Sequence, residues 1–234
     1  MIFKTTFQTG FCDINKDKKI TDRAILKYLE ECSGRHSDTV KNGVADIIDD
    51  GITWVLLSWN LKVLNRPSYN SELSVHTYIS RTTKLYVYRD FEVYAGDTLV
   101  AVAQSVWILV ATKTMRPVRL SDDLIASYNP EYGRSAFDFP DTGLKESETY
   151  DKVIDYYIRK TDIDINDHVH NLNYLDMAYE IMPDIEPDNV IIVYKKEIKY
   201  KTDVLVSLKT TDNTYQIKVS SKENNQTNTL MLLW

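Results

Sequence analysis

Glycine is scarce in this chain, with seven among 234 residues. A Walker loop, a G-x-G-x-x-G dinucleotide turn and a G-x-S-x-G nucleophile elbow each need glycines at set offsets, and none of the three occurs. Cysteine is scarcer: Cys12 and Cys32 make no disulfide framework, so a reducing cytoplasm is the expected compartment and buried, structural thiols the expected state. No stretch approaches the ~18 consecutive apolar residues of a membrane span. The opening MIFKTTFQTGFCD has neither an apolar core nor a small-residue cleavage site, so no export signal is expected. Basic excess is missing as well. With 28 Lys and Arg against 34 Asp and Glu the formal charge is −6, which speaks against a nucleic-acid partner. Basic clusters do exist at Arg116 and Arg119, at Arg159-Lys160, and at Lys195, Lys196, Lys199 and Lys201. They read as solvated faces, or as local docking points for an acidic partner.

What is present is β-forming material in long runs. ITWVLLSWNLKVL, ELSVHTYIS, KLYVYRDFEVY and LVAVAQSVWILVAT are rich in branched and aromatic residues and are parted by turn segments. They predict a mainly antiparallel sheet. Before them, TDRAILKYLEECSGRHS places Ala24, Ile25, Tyr28, Leu29 and Cys32 at helical spacing. Thr21 or Asp22 suits its start and Gly34 its end. After a Pro- and Gly-bearing stretch at 128–149 the order repeats. KVIDYYIRK reads as a strand, a helix from about Val169 carries Leu172, Leu175, Ala178 and Ile181 on one side, and four strands follow, from NVIIVYKKEIKY to TNTLMLLW. Aligning Tyr28-Leu29-Glu30 with Tyr174-Leu175-Asp176 sets the copies 146 positions apart (174 minus 28). The expected organisation is a first unit at 1–127, a linker at 128–149 and a second unit at 150–234. Such a chain carries its own pseudo-dimer and can stand as a monomer or pair as a homodimer.

One segment of the second copy is unusually polar. DIDINDHVHNLNY, Asp162 to Tyr174, holds three acidic residues, three asparagines and two of the four histidines. Asp162, Asp164 and Asn166 match the first ligands of a calcium loop, but Asp167 stands where the turn glycine belongs and Asn173 where the bidentate glutamate belongs. His168 and His170, two apart, do not share a helix face as a zinc pair does. No metal and no cofactor is therefore expected. Asn166 or Asp167 can cap the helix that follows. Capping leaves the alternation of Asp164, Asn166 and His168 unexplained. In an extended run, period two would put all three on one side of the chain. The helix end beyond them suits a developing negative charge. A carboxylate, an amide and an imidazole beside such an end form a hydrolytic arrangement, with backbone N–H groups from His168 to His170 as expected oxyanion donors. At the 146-residue offset these three fall opposite Lys18, Ile20 and Asp22, which marks the cluster as one-sided. His36 and His76 lack any such flanking pattern.

The same thirteen residues carry a resemblance. DIDINDHVHNLNY resembles the D-L-D-x-N-x-H-V-N-N-x-x-Y motif of the acyl-ACP thioesterases of plants and their bacterial relatives. IIVYKKEIKYKTDVLV resembles that family's L-E-Y-R-R-E-C segment and the strand after it. WVLLSWNLKVLNRPSYNSELSVHTYISR, YRDFEVY and AVAQSVWILVATKTMRPVRL resemble its first half, and the likeness covers nearly the whole chain in order. It implies an α+β tandem (double) hotdog fold, each half a long helix wrapped by an antiparallel sheet. It implies hydrolysis of the fatty acyl thioester of acyl carrier protein, the chain-terminating step of fatty acid biosynthesis. The acyl chain would lie largely in the first unit, where Trp54, Trp59 and Trp107 are either tunnel walls or core. By the motif, Asp164 matches the catalytic carboxylate, as base or as nucleophile. Asn166 and His168 hold and polarise it, and Glu197 is the second carboxylate. Two positions depart from the pattern. Ile198 replaces a cysteine of the plant proteins, so a thiol mechanism cannot run there, and His170 replaces the first Asn of H-V-N-N. An acyl-CoA thioesterase and a non-catalytic acyl-ACP or lipid binder on the same fold are the alternatives.

Overall fold

The structure, a computed structural model, describes every residue except 44–45, 48–49, 137 and 139–142. The chain divides into two compact units, Met1–Pro140 and Asp141–Trp234.

The first unit carries strands β1 (Phe3–Gln8), β2 (Ile52–Val63), β3 (Glu72–Thr82), β4 (Tyr86–Ala95) and β5 (Thr98–Ala111). They lie in the order β1-β3-β4-β5-β2, all antiparallel. Helix α1 (Asp22–Thr39) packs on β1 and β3. Its start follows expectation, since Thr21 Oγ1 accepts the Ala24 N–H at 3.2 Å. Ala24, Ile25, Tyr28, Leu29 and Cys32 are all buried. Its end does not follow. Gly34 lies inside the helix, which runs five residues further, to Thr39. An interior glycine costs only about 1 kcal/mol, and the extension buries His36 between Phe3, stacked at 5.1 Å, and Tyr128, edge-on at 5.3 Å.

Trp59 is fully buried against Phe91. Trp54 and Trp107 are half-buried against the core cluster of Ile79, Val87, Leu109, Leu120 and Tyr128. A short helix α2 (Asp122–Ser127) precedes the stretch expected as a linker. In that stretch Tyr128 is buried and Arg134 pairs with Glu92 at 2.7 Å, whereas Phe137 and residues 139–142 lie outside the described residues.

The second unit carries β6 (Lys152–Tyr156), β7 (Asn189–Tyr194), β8 (Val204–Thr211), β9 (Thr214–Ser221) and β10 (Thr227–Leu233), in the order β7-β10-β9-β8-β6, again antiparallel. Helix α3 (Asn171–Tyr179) packs on β9. At nine residues it is half the length of α1. Leu172, Leu175, Ala178 and Ile181 are all buried as the periodicity predicts, but Ile181 sits in the turn past the helix end. Pro183 follows closely and cannot continue a helix. Two strands also stop short of expectation. β6 ends at Tyr156 and β7 at Tyr194, so Glu197 is carried on irregular backbone.

Cys32 is buried, and burial pushes its thiol up to about 12. Cys12, expected to be buried, is exposed. It sits in the 3-10 turn Phe11–Asp13, where Asp13 is the inward-facing residue.

Candidate active site

Asp164 to His168 do not form an extended run. They fold back as a tight hairpin. Asp164 N–H donates to His168 C=O at 2.8 Å, Asp167 N–H donates to Asp164 C=O at 3.2 Å, and Ile163 bridges Val169. The three-residue loop ends on a left-handed residue, Asp167, at φ 62. The Asp164 side chain makes the turn work. Its Oδ1 accepts the N–H of Asn166 at 2.8 Å and, more weakly, the N–H of His168 at 3.4 Å. Backbone contacts, not a shared face of side chains, connect the three residues. Asn166 and His168 touch Asp164 through their backbone amides, while its second oxygen, the Asn166 amide, the His168 ring and the Glu197 carboxylate meet no hydrogen-bond partner among the described residues.

Sheet pairing brings Glu197 to this turn. His168 bridges Lys199, and Val169 N–H donates to Ile198 C=O at 2.8 Å. This antiparallel register sets Glu197 across from His170, six residues along the chain from Asp164. Glu197 and Asn166 are exposed; Asp164 and His168 are half-buried. Tyr174, buried on α3, lies within electrostatic reach of both carboxylates. Burial foremost raises its phenol well above the usual range, and Glu197 and Asp164 add to the rise against the Ile198 N–H bond.

Two further expectations for this segment are corrected. The N-cap of α3 is His170, not Asn166 or Asp167: its Nδ1 accepts the Leu172 N–H at 3.3 Å, because the hairpin places the helix start three residues further on. The amides from His168 to His170 are engaged, by Asp164 Oδ1, Ile198 C=O and Asp162 C=O. The N–H of Asn171, first residue of α3, is the next along the chain and has no acceptor among the described residues. Asp162 is buried and structural, tied to the Arg159 N–H at 2.8 Å and to its guanidinium at 2.7 Å.

The first unit contains the same turn, which changes the repeat offset. Asn15 N–H donates to Lys19 C=O at 2.8 Å, Asn15 Oδ1 accepts the N–H groups of Asp17 and Lys19, and Lys18 is left-handed at φ 60. Asn15 is thus the counterpart of Asp164, 149 positions away (164 minus 15) rather than 146. Lys19 bridges Ser68 and Ile20 N–H donates to Pro67 C=O at 2.9 Å, as His168 and Val169 do with Lys199 and Ile198. Asp17, Lys19 and Arg66 accordingly stand where Asn166, His168 and Glu197 stand. The hairpin backbone is common to both units and so structural. The carboxylates are not, since Asn15 is an amide and Arg66 a cation paired with buried Asp22 at 2.7 Å. Among the described residues no group of three or more His, Cys, Asp or Glu could hold a metal ion.

Comparisons with known proteins agree with the motif. A family model described as the acyl-ACP thioesterase N-terminal domain matches residues 1–128, and one described as the C-terminal domain matches residues 145–232. The chain is 23% identical over 197 residues to a palmitoyl-acyl carrier protein thioesterase, chloroplastic, of Arabidopsis thaliana, covering 78% of this chain and 48% of that one. It spans about half the length of the curated relatives it matches. The crystal structure of an acyl-ACP thioesterase from Bacteroides thetaiotaomicron superposes with a TM-score of 0.85 at 20% identity, covering 99% of this chain and 96% of the other. A 12:0-ACP thioesterase from Umbellularia californica gives 0.85 at 18%, with the same coverage. These likenesses fix the fold as a double hotdog.

Proposed function

The chain belongs to the acyl-ACP thioesterase family, and from that membership we propose that it hydrolyses the fatty acyl thioester of acyl carrier protein, releasing free fatty acid and the carrier's phosphopantetheine thiol. The observation that supports the reading is the pairing of residues 168–169 with 198–199, which lays the segment carrying Glu197 alongside the strand that follows the Asp164 turn. Asp164 takes the proton of an attacking water, or attacks the carbonyl itself, while Glu197 orients water. Two backbone amides on its Oδ1 orient the carboxylate and leave the other oxygen to act. The tetrahedral oxyanion would be met by the Asn171 N–H and the His168 ring. Collapse expels the thiolate, which regains the proton, so that one water is consumed per thioester cleaved. Ile198 excludes a cysteine nucleophile at that position.

Acyl carrier protein is the proposed partner, and uptake of the acyl chain is assigned to the first unit on the family resemblance, with half-buried Trp54 and Trp107 as the residues to vary. A reducing cytoplasm fits two free cysteines of which one is exposed. No helix among the described residues is long and apolar enough to cross a membrane.

The test is hydrolysis of acyl-ACP by Asp164→Asn. Turnover should fall by roughly 10³-fold or more, the scale of losing a catalytic acid–base group, with the thermal unfolding midpoint kept. Unchanged turnover would remove Asp164 from the mechanism, and faster hydrolysis of acyl-CoA than of acyl-ACP by the unaltered protein would reassign the substrate.

A further inference from the structure

We propose that Tyr174 and Asn228 are positioning residues for Glu197, fixing the backbone from which its carboxylate reaches the reaction; the inference rests on the hydrolase reading above. Glu197 follows the end of β7 in an exposed stretch, residues 195–197, with no strand ladder of its own. A flexible glutamate on such backbone has no settled place unless its peptide groups are tied down. Both flanking peptide groups are tied, and by buried side chains from different elements. From β10, Asn228 Nδ2 donates to the C=O of Lys196 and to the C=O of Glu197, each at 3.3 Å. From α3, Tyr174 Oη accepts the N–H of Ile198 at 3.1 Å. The two torsions at the Glu197 Cα are thereby set from both sides.

The two anchors are themselves held. Asn228 accepts the N–H groups of Lys195 and Lys196 on its own C=O, at 2.8 and 3.1 Å. The Tyr174 ring meets Tyr194 edge-on at 5.6 Å, and Tyr194 Oη donates to the Asn171 C=O at 3.1 Å, at the first residue of α3. Asn228 Oδ1 is buried without a hydrogen-bond partner among the described residues. Folding would not select a buried amide with half its capacity wasted, so its use lies in the two carbonyls its nitrogen holds. Tyr174 likewise offers its phenol oxygen to one amide, and its hydroxyl proton has no acceptor among the described residues.

The experiment is a pair of double-mutant cycles. Tyr174→Phe removes the hydroxyl whose oxygen accepts the Ile198 N–H, its proton with it, and Asn228→Asp sets a carboxylate oxygen against two carbonyls at nearly constant volume. Each is made in the unaltered protein and in Glu197→Gln, and kcat and KM on acyl-ACP are measured with unfolding midpoints alongside. Each single change should lower kcat roughly tenfold with KM little altered. Neither should lower it further in Glu197→Gln, because the group they place is already disabled. Losses that multiply onto Glu197→Gln, or no loss in either single variant, would overturn the proposal. If Asn228→Asp does not fold, the Tyr174→Phe cycle decides alone. Full turnover by Glu197→Gln beside an inactive Asp164→Asn would overturn the inference while the hydrolase reading stands. No fatty acid released from acyl-ACP by the unaltered protein would remove the reading, and the inference with it.

Discussion

Arg89, deep in the first unit, is a buried cation whose hydrogen-bond partners are neutral: His36 Nδ1 at 2.9 Å and Thr77 Oγ1 at 3.4 Å. A guanidinium stays charged, so His36 must stay neutral to accept from it. Burial first, and then the Arg89 charge, pull the imidazole down to about 3. Its unfolded value is about 6.5. Between those values the unfolded chain binds the extra proton, so this stability is whole above pH 6.5 and is lost as pH falls towards 3. His36→Asn keeps an acceptor without a titrating group. Unfolding midpoints from pH 7 to 4 should show a flatter decline for the variant, by up to about 1.4 kcal/mol per pH unit. Parallel curves would show that His36 does not carry the acid sensitivity. The sequence held no hint of this pair, because residues 36 and 89 are joined only by packing. Asp164, Asn166 and His168 were visible as a group, because their spacing is local. How they meet was not, since an extended run and a three-residue hairpin share the same alternation of residue types.

At the scale of elements, the repeated hairpin is the unit that both halves keep. Its last loop residue is left-handed in each, Asp167 at φ 62 and Lys18 at φ 60. Asp tolerates that region by bonding locally, whereas Lys has no such compensation. Lys18→Asn should therefore raise first-unit stability by up to about 1 kcal/mol, and Lys18→Ile should lower it. Thermal unfolding of the two variants checks this, and a lower midpoint for Lys18→Asn would count against strain at the position. Helix faces and most strand cores were legible at this scale, because burial repeats with the period of the element. Ends were not. α1 overran Gly34 because burying His36 outweighs the glycine, and β7 stopped before Lys195 because the chain there turns to Asn228 and Tyr174.

For the whole molecule, a net charge of −6 sits beside a basic stretch next to the candidate site. Within it Lys195 is engaged by Glu146 at 3.5 Å and Lys196 by Gln226 at 2.7 Å, while Lys199 and Lys201 are exposed. If these last two meet an acidic carrier, kcat/KM on acyl-ACP should fall with added salt much more than on a small acyl thioester. Lys199→Glu with Lys201→Glu should steepen KM for the carrier substrate alone, and equal salt sensitivity of the two substrates would exclude electrostatic docking there. The sequence by itself determined the duplicated α+β plan, the buried faces and the identity of the polar motif, because each is written in spacing along a few consecutive residues. Only the tertiary structure decided that the Glu197 segment pairs with residues 168–169, that the amides from His168 to His170 are already bonded, and that Asn15 and Arg66 occupy the other unit's counterparts. Each of these depends on how the backbone folds back and on hydrogen-bond register, and register is settled by packing, which no local pattern encodes.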